Sequence, residues 1–177
     1  MEIKELQIVY NVEYLPYVRV RSTTKVPKKI YNGEDTAKEV YNLLEYIYDI
    51  KYQIEENSYV VAFYDSTLLG VYHLSQGTDA NCDIDPKAIY RFLLLAGANR
   101  YYLVHNHPNC IDEMSQEDYN ITKKLQNLDF NFNIHMINHI IVGKDNWREL
   151  NYEMSQMAIY NIENVEEYYE AKANGDL

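Results

Sequence analysis

Residues 5 to 21 carry β-branched residues and tyrosines in loose alternation and end near Ser22-Thr23-Thr24, the pattern of an N-terminal strand or hairpin. After Asn32-Gly33 the period changes. Thr36 and Glu39 stand at capping-box spacing, and Ala37, Val40, Leu44, Ile47 and Lys51 mark one stripe, which predicts a helix near 36 to 50. Tyr59 to Tyr64 and Leu68 to Leu74 read as two strands of a hairpin turned by Asp65-Ser66-Thr67. Asp85-Pro86 is an N-cap followed by proline at the first helical position, and Gly97 is the matching stop, so residues 86 to 96 form an apolar helix. Tyr101 to Val104 is a short apolar strand running into His105, with a polar loop from Pro108 to Met114 behind it. Ser115 then opens a helix to about Leu128, and His135 to Val142 is a strand closed by Gly143. From the hairpin onward the order is β-β-α-β-α-β, an α/β chain. Beyond Trp147, the positions Ala158, Ile162, Val165 and Tyr169 mark one amphipathic terminal helix over residues 154 to 172, amid many acids.

The length of 177 residues suits a single core, since compact domains usually run to about 100–200 residues. The longest apolar runs, such as Phe92 to Ala96, fall far short of the ~20 residues a membrane helix needs. The start, Met1-Glu2-Ile3-Lys4-Glu5, lacks the basic and apolar regions of a secretory signal, so a cytoplasmic location and no membrane association are expected. Cys82 and Cys110 belong to no CxxC pair, and a disulfide scaffold is not expected. Sixteen basic against 27 acidic side chains give a formal charge of −11, which repels phosphate backbones and disfavours direct nucleic-acid binding. Lys25, Lys28 and Lys29 cluster, but three lysines read as a solvated loop. The oligomeric state is not indicated.

His105-Asn106-His107 sets two imidazoles two residues apart on extended backbone, where both point to the same side and can reach one metal ion. Asp118 falls in the first turn of the following helix, which carries it back over the strand end. Two nitrogens and one carboxylate oxygen make a three-ligand zinc set with a fourth position open to water, the catalytic arrangement. Each part has a plainer reading. Ser115-x-x-Asp118 is also a helix start, with Ser115 capping and Asp118 favoured by the helix dipole, and a histidine pair on a strand can be a hydrogen-bonded surface pair.

Taken together, His105-Asn106-His107-Pro108, six further residues and Ser115-x-x-Asp118 resemble the HxHx7SxxD signature of the JAMM (JAB/MPN+) zinc metallopeptidases. The HNHP form, Gln76-Gly77-Thr78, Asp85-Pro86-Lys87 and Asn138-His139-Ile140-Ile141-Val142-Gly143 resemble its RadC-like branch, over roughly residues 55 to 145. The resemblance implies a mixed β-sheet sandwiched by helices, similar to the cytidine-deaminase architecture. It divides the chain into an N-terminal strand or arm (1–34), a RadC-like domain (35–150) and an acidic C-terminal helix (151–177). It also implies that His105, His107 and Asp118 hold Zn2+ and that Ser115 donates a hydrogen bond to the developing oxyanion.

The family places its general base, a glutamate, at the start of the strand that corresponds to Tyr59 to Tyr64. An ungapped alignment puts Asn57 there, and Glu56, one residue early, needs a bulge to turn to the metal; Glu55 keeps the face but lies further along. Glu56 is the expected base. Asn138 stands where the branch usually has aspartate, and His139 is either an outer partner of a ligand or a satisfied core histidine. His73 and His135 read as structural or exposed, and no spacing argument makes Cys110 more than a loop thiol. The expected activity is zinc-dependent hydrolysis of an amide or isopeptide bond in a peptide or small protein modifier. The alternatives are a catalytically weakened binding module and, by association of the branch, a role with DNA repair or mobile elements.

Overall fold

A computed structural model describes every residue except 12, 78–83, 110 and 111. Seven strands and five helices follow one another as β1 (Glu2–Tyr10), β2 (Pro16–Lys25), α1 (Ala37–Tyr48), β3 (Asn57–Tyr64), β4 (Thr67–Gln76), α2 (Pro86–Ala96), β5 (Arg100–Asn106), α3 (Gln116–Phe132), β6 (His135–Val142), β7 (Trp147–Glu149), α4 (Leu150–Ile159) and α5 (Val165–Asn174). All seven strands belong to one sheet in the order β2-β1-β4-β3-β5-β6-β7. The sheet is mixed: β1 runs parallel to β4 and β5 parallel to β6, and the other neighbours are antiparallel. This is the expected α/β class.

Alternation along the central strands assigns the two faces. Tyr59, Val61, Phe63, Tyr102 and Val104 pack with Val40, Leu43 and Leu44 of α1. Val60, Ala62, Tyr101 and Leu103 turn the other way, against Ile89, Phe92 and Leu93 of α2 and Leu125 of α3. A third cluster joins Met114, Tyr119 and Ile141 to Leu150 and Met157 of α4 and Val165 and Tyr168 of α5. The metal-ligand candidates sit where the second and third clusters meet, at the carboxyl end of β5.

Most boundaries follow the signals in the chain. Thr36 caps α1, Asp85 with Pro86 opens α2, and Gly97 ends it at φ 69°. Three expectations need correction. Lys51 does not lie on α1, because Asp49 takes a left-handed conformation (φ 50°) and ends the helix at Tyr48. α3 runs four residues beyond Leu128, until Asn133 supplies the left-handed cap at φ 52°. The single terminal helix is two: Asn161 adopts φ 57°, and Asn164 caps a new start by accepting from the Glu167 amide.

Gly70 marks the join between the N-terminal hairpin and the rest. A Cβ there would stand 2.6 Å from the Lys4 carbonyl oxygen and 2.7 Å from Leu6 Cγ, so β1 can lie beside β4 only because position 70 has no side chain. Gly70→Ala is expected to lower unfolding stability by about 1–3 kcal/mol, the usual range for overpacking. A denaturant midpoint unchanged from the parent would contradict this contact.

Candidate metal centre

β5 is buried from Tyr101 to Asn106, and its last turn outward carries the two histidines. His105 is wholly buried, between β3 and β6, while the side chain of His107 keeps 13% of its exposure. Asp118 comes from the first turn of α3. Ser115 accepts from the Asp118 amide at 3.1 Å, and its own amide donates to Asp118 Oδ2 at 2.9 Å, a complete capping box. The plain reading of Ser-x-x-Asp as a helix start therefore holds, and the cap aims the carboxylate at the histidines.

The donor atoms converge. His105 Nε2 lies 2.9 Å from His107 Nε2 and 3.1 Å from Asp118 Oδ1, and His107 Nε2 lies 3.5 Å from Asp118 Oδ2. Ligands ~2.0–2.1 Å from a tetrahedral ion are about 3.3 Å apart, so the edges from His105 Nε2 are near that spacing, while the two histidines approach different oxygens of the Asp118 carboxylate. Three lone-pair donors this close repel one another unless a proton or a metal ion sits among them. Glu56 Oε1 is 4.0 Å from His105 Nε2, and Glu56, His105 and His107 form one potential ligand group while His105, Asp118 and His139 form another.

A buried relay behind His105 decides which of its nitrogens is offered. The Thr122 hydroxyl donates to the Asp118 carbonyl at 2.6 Å, so toward His139 Nδ1, 2.7 Å away, it can only accept. His139 Nδ1 then carries a proton. Burial holds His139 well below the ordinary histidine range and hence neutral, with the neighbouring His105 pushing the same way. Its Nε2 must accept, and His105 Nδ1 donates to it at 2.8 Å. The proton on Nδ1 leaves Nε2 as the metal-facing atom of His105. Fully buried with both ring nitrogens bonded, His139 is a satisfied core histidine that also contacts His105 as an outer partner would. Thr122 went unnoticed in the sequence; its signal was the four-residue step from Asp118 along α3.

Glu56 reaches the histidine face without the bulge that the alignment required. Ser58 is paired directly with His105 in an unbroken β3–β5 register, and Glu56, two residues earlier, shares that face. The register shifts of β3 lie on its other edge, opposite Ser58/Tyr59 and Ala62/Phe63, and both place the extra residue in β4. Asn57 points away, and its Oδ1 lies 2.8 Å from His73 Nε2, whose ring stacks on Tyr59. Glu55 turns outward to accept a hydrogen bond from Gln76. Asn106, between the two histidines, faces the opposite side and brackets Glu56: it accepts from the Asn57 amide at 2.8 Å and donates to the Glu55 carbonyl at 3.0 Å.

The remaining candidates fall into place around this centre. The Ser115 hydroxyl donates to Asp118 Oδ2 at 2.6 Å, so its proton faces the carboxylate. Asn138 accepts from the His139 and Asn151 amides and donates to Glu149 Oε2 at 2.5 Å, a donation that an aspartate could not make. His135 is exposed. Cys82 and Cys110 lie outside the described residues. Gly143, after β6, lets the loop pass: a Cβ there would be 3.0 Å from Asp112 Cβ.

Burial alone would raise the Asp118 carboxyl, but the attraction of His105 and the hydrogen bonds from His105 and His107 outweigh it and hold the group well below the ordinary carboxylate range. Both depressed groups bind protons more readily when the chain is unfolded, His139 from an ordinary 6.5 and Asp118 from 3.8. The part of the metal-free protein's stability that these two groups contribute is therefore full above pH 6.5, declines as pH falls through 6.5, and declines further below 3.8. Urea midpoints measured in chelator from pH 8 to 3 check this; a midpoint that rises on acidification through that first step would contradict a neutral His139.

A family model described as the RadC-like JAB domain matches residues 35–154. Among curated relatives, a UPF0758 protein of Haemophilus influenzae is 28% identical over 135 residues, covering 72% of this chain and 61% of the relative. A UPF0758 protein of Gloeothece citriformis is 29% identical over 58% of this chain and 43% of its own length. A third, from Coprothermobacter proteolyticus, is 35% identical over 41% of this chain and 31% of its own. The chain thus spans between about a third and three fifths of the length of these relatives. No helix among the described residues is long and apolar enough to cross a membrane.

Proposed function

Because the chain belongs to the RadC-like JAB domain family, whose matched region contains the whole centre built above, we propose that it is a zinc-dependent hydrolase of amide bonds in a peptide or small protein modifier. The observation that carries this reading is the convergence of His105 Nε2, His107 Nε2 and the Asp118 carboxylate, whose Oδ1 lies 3.1 Å from His105 and Oδ2 3.5 Å from His107, with Glu56 beside them. Two imidazoles and one carboxylate suit zinc and leave a ligand position open. When bound there, zinc supplies a Lewis acid for the scissile carbonyl and a water of lowered pKa.

The protein's own groups divide the remaining work. Glu56 takes a proton from the attacking water and delivers it to the leaving nitrogen, a role for which Asn106 fixes its backbone on both sides. His139 and Thr122 keep the His105 proton on Nδ1, so Nε2 stays directed into the centre. Ser115 holds Asp118 in line through the cap. Its hydroxyl is the donor for the developing oxyanion once Asp118 Oδ2 no longer claims the proton. A cavity of about 470 Å³ lined by Tyr52, Gln53, Ile54, Pro108, Asn109 and two lysines begins at the residues that follow His107, and it offers a seat for the substrate chain.

The reading as a silent binding module drew on Asn57 standing at the base position. Glu56 on the histidine face speaks for the hydrolase reading instead. A DNA-directed role still meets the formal charge of −11.

Purified without a histidine tag, the protein is expected to carry about one zinc per chain by elemental analysis, lost in His107→Ala and in Asp118→Asn. Glu56→Gln should keep the metal and lose roughly 10²–10⁴ in peptide hydrolysis. Hydrolysis that survives chelation undiminished would count against the proposal, and so would a parent that binds no zinc when supplied with it.

A further inference from the structure

The family match ends at residue 154, yet the helix beyond it reaches back to the metal centre. We propose that α5 is a clamp on that centre, with Tyr169 a positioning residue that sets Ser115 and Asp118 opposite the histidine pair; this rests on the metal-binding reading above. Tyr169 Oη accepts from the Met114 amide at 2.9 Å, one residue before the α3 cap, and donates to Glu153 Oε2 at 2.6 Å. Glu153, only 4% exposed, is gripped on its other oxygen by Arg148 at 3.1 Å and Lys172 at 3.2 Å. Arg148 in turn holds Asp112 at 2.9 Å. Residues 112 and 114 are thus tied from two sides to one buried carboxylate, and the chain between them and Asp118 has little freedom left.

A second tie reaches α3 directly. The Gln116 side chain accepts from the Val165 amide at 2.9 Å and donates to the Glu163 carbonyl, which fixes the start of α5 to the first turn of α3. Apolar packing backs both ties: Met114 and Tyr119, on either side of the cap, share one cluster with Met157, Val165 and Tyr168. By contrast, His105 and His107 are held by the sheet. The clamp therefore acts on Asp118, the ligand that arrives from a helix, and on Ser115.

The test uses the full-length chain. Tyr169→Phe removes one hydroxyl and leaves the ring. Tyr90→Phe is the control, since it removes a hydrogen-bonded tyrosine hydroxyl from the far end of α3, where Tyr90 bonds Leu125 and Asp129. Asp129 lies about 16 Å along the helix from Asp118 at 1.5 Å per residue. Zinc release to a chelating indicator is expected to be roughly ten-fold faster in Tyr169→Phe, the low end for loss of an outer partner, and unchanged in Tyr90→Phe. Amide exchange at Ser115 and Asp118 in the metal-free protein should rise in Tyr169→Phe alone. If Tyr169→Phe does not fold, Gln116→Ala, which cuts the second tie, takes its place. Release and exchange that match the parent, or rise equally in the control, would overturn the clamp. If the parent binds no zinc, the hydrolase reading fails by itself, and the exchange measurement still decides the clamp.

Discussion

The centre depends on one fully buried imidazole. His105 sits at the end of β5 with β3 on one side and β6 on the other, and neither ring nitrogen can reach water. A buried polar atom without a partner costs about 1–3 kcal/mol, so both nitrogens must be served from within. His139 and Thr122 serve Nδ1 through bonds of 2.8 and 2.7 Å. What remains is Nε2, directed at His107 and Asp118. From that single atom follow the outward turn of β5, the inward aim of the α3 cap and the place of Glu56.

The same constraint explains why the centre favours a cation. Two imidazole nitrogens 2.9 Å apart, with the two oxygens of one carboxylate 3.1 and 3.5 Å from them, concentrate lone pairs in a space from which water is largely excluded. Folding can tolerate that only if positive charge sits among them, as a proton or as a metal ion. A histidine pair held open by hydrogen bonds to separate partners would carry no such demand. Asp118, kept anionic by its neighbours, adds a countercharge for a cation held there.

Much of this was legible in the residues, and the exceptions share a cause. The ligand trio follows from local rules: strand alternation pairs His105 with His107, and a capping box turns Asp118 toward them. Glu56 was harder, because its face depends on which residue of β3 lies opposite His105, a non-local register that no window of sequence contains. The structure pairs Ser58 with His105 and so settles the face that Glu56 shares. Asn106 and Thr122 were invisible for a related reason: each looks like an ordinary polar residue until the strand or helix beside it is in place. The C-terminal break was missed because helical spacing continues across Asn161, where only the left-handed backbone interrupts it.

The ligands also differ in what holds them. His105 lies in a strand with hydrogen-bonded neighbours on both edges and His107 just beyond its end, its amide bonded to the Val142 carbonyl of β6, whereas Asp118 rides on a helix whose first turn packs against the C-terminal elements. An ion among the three would join the sheet to the first turn of α3. Its affinity then depends on how closely the helical part is already posed before the ion arrives, since any reorganisation is subtracted from the binding energy. The sheet supplies that order for the histidines, and the ties from Glu153, Tyr169 and Gln116 supply it for the carboxylate.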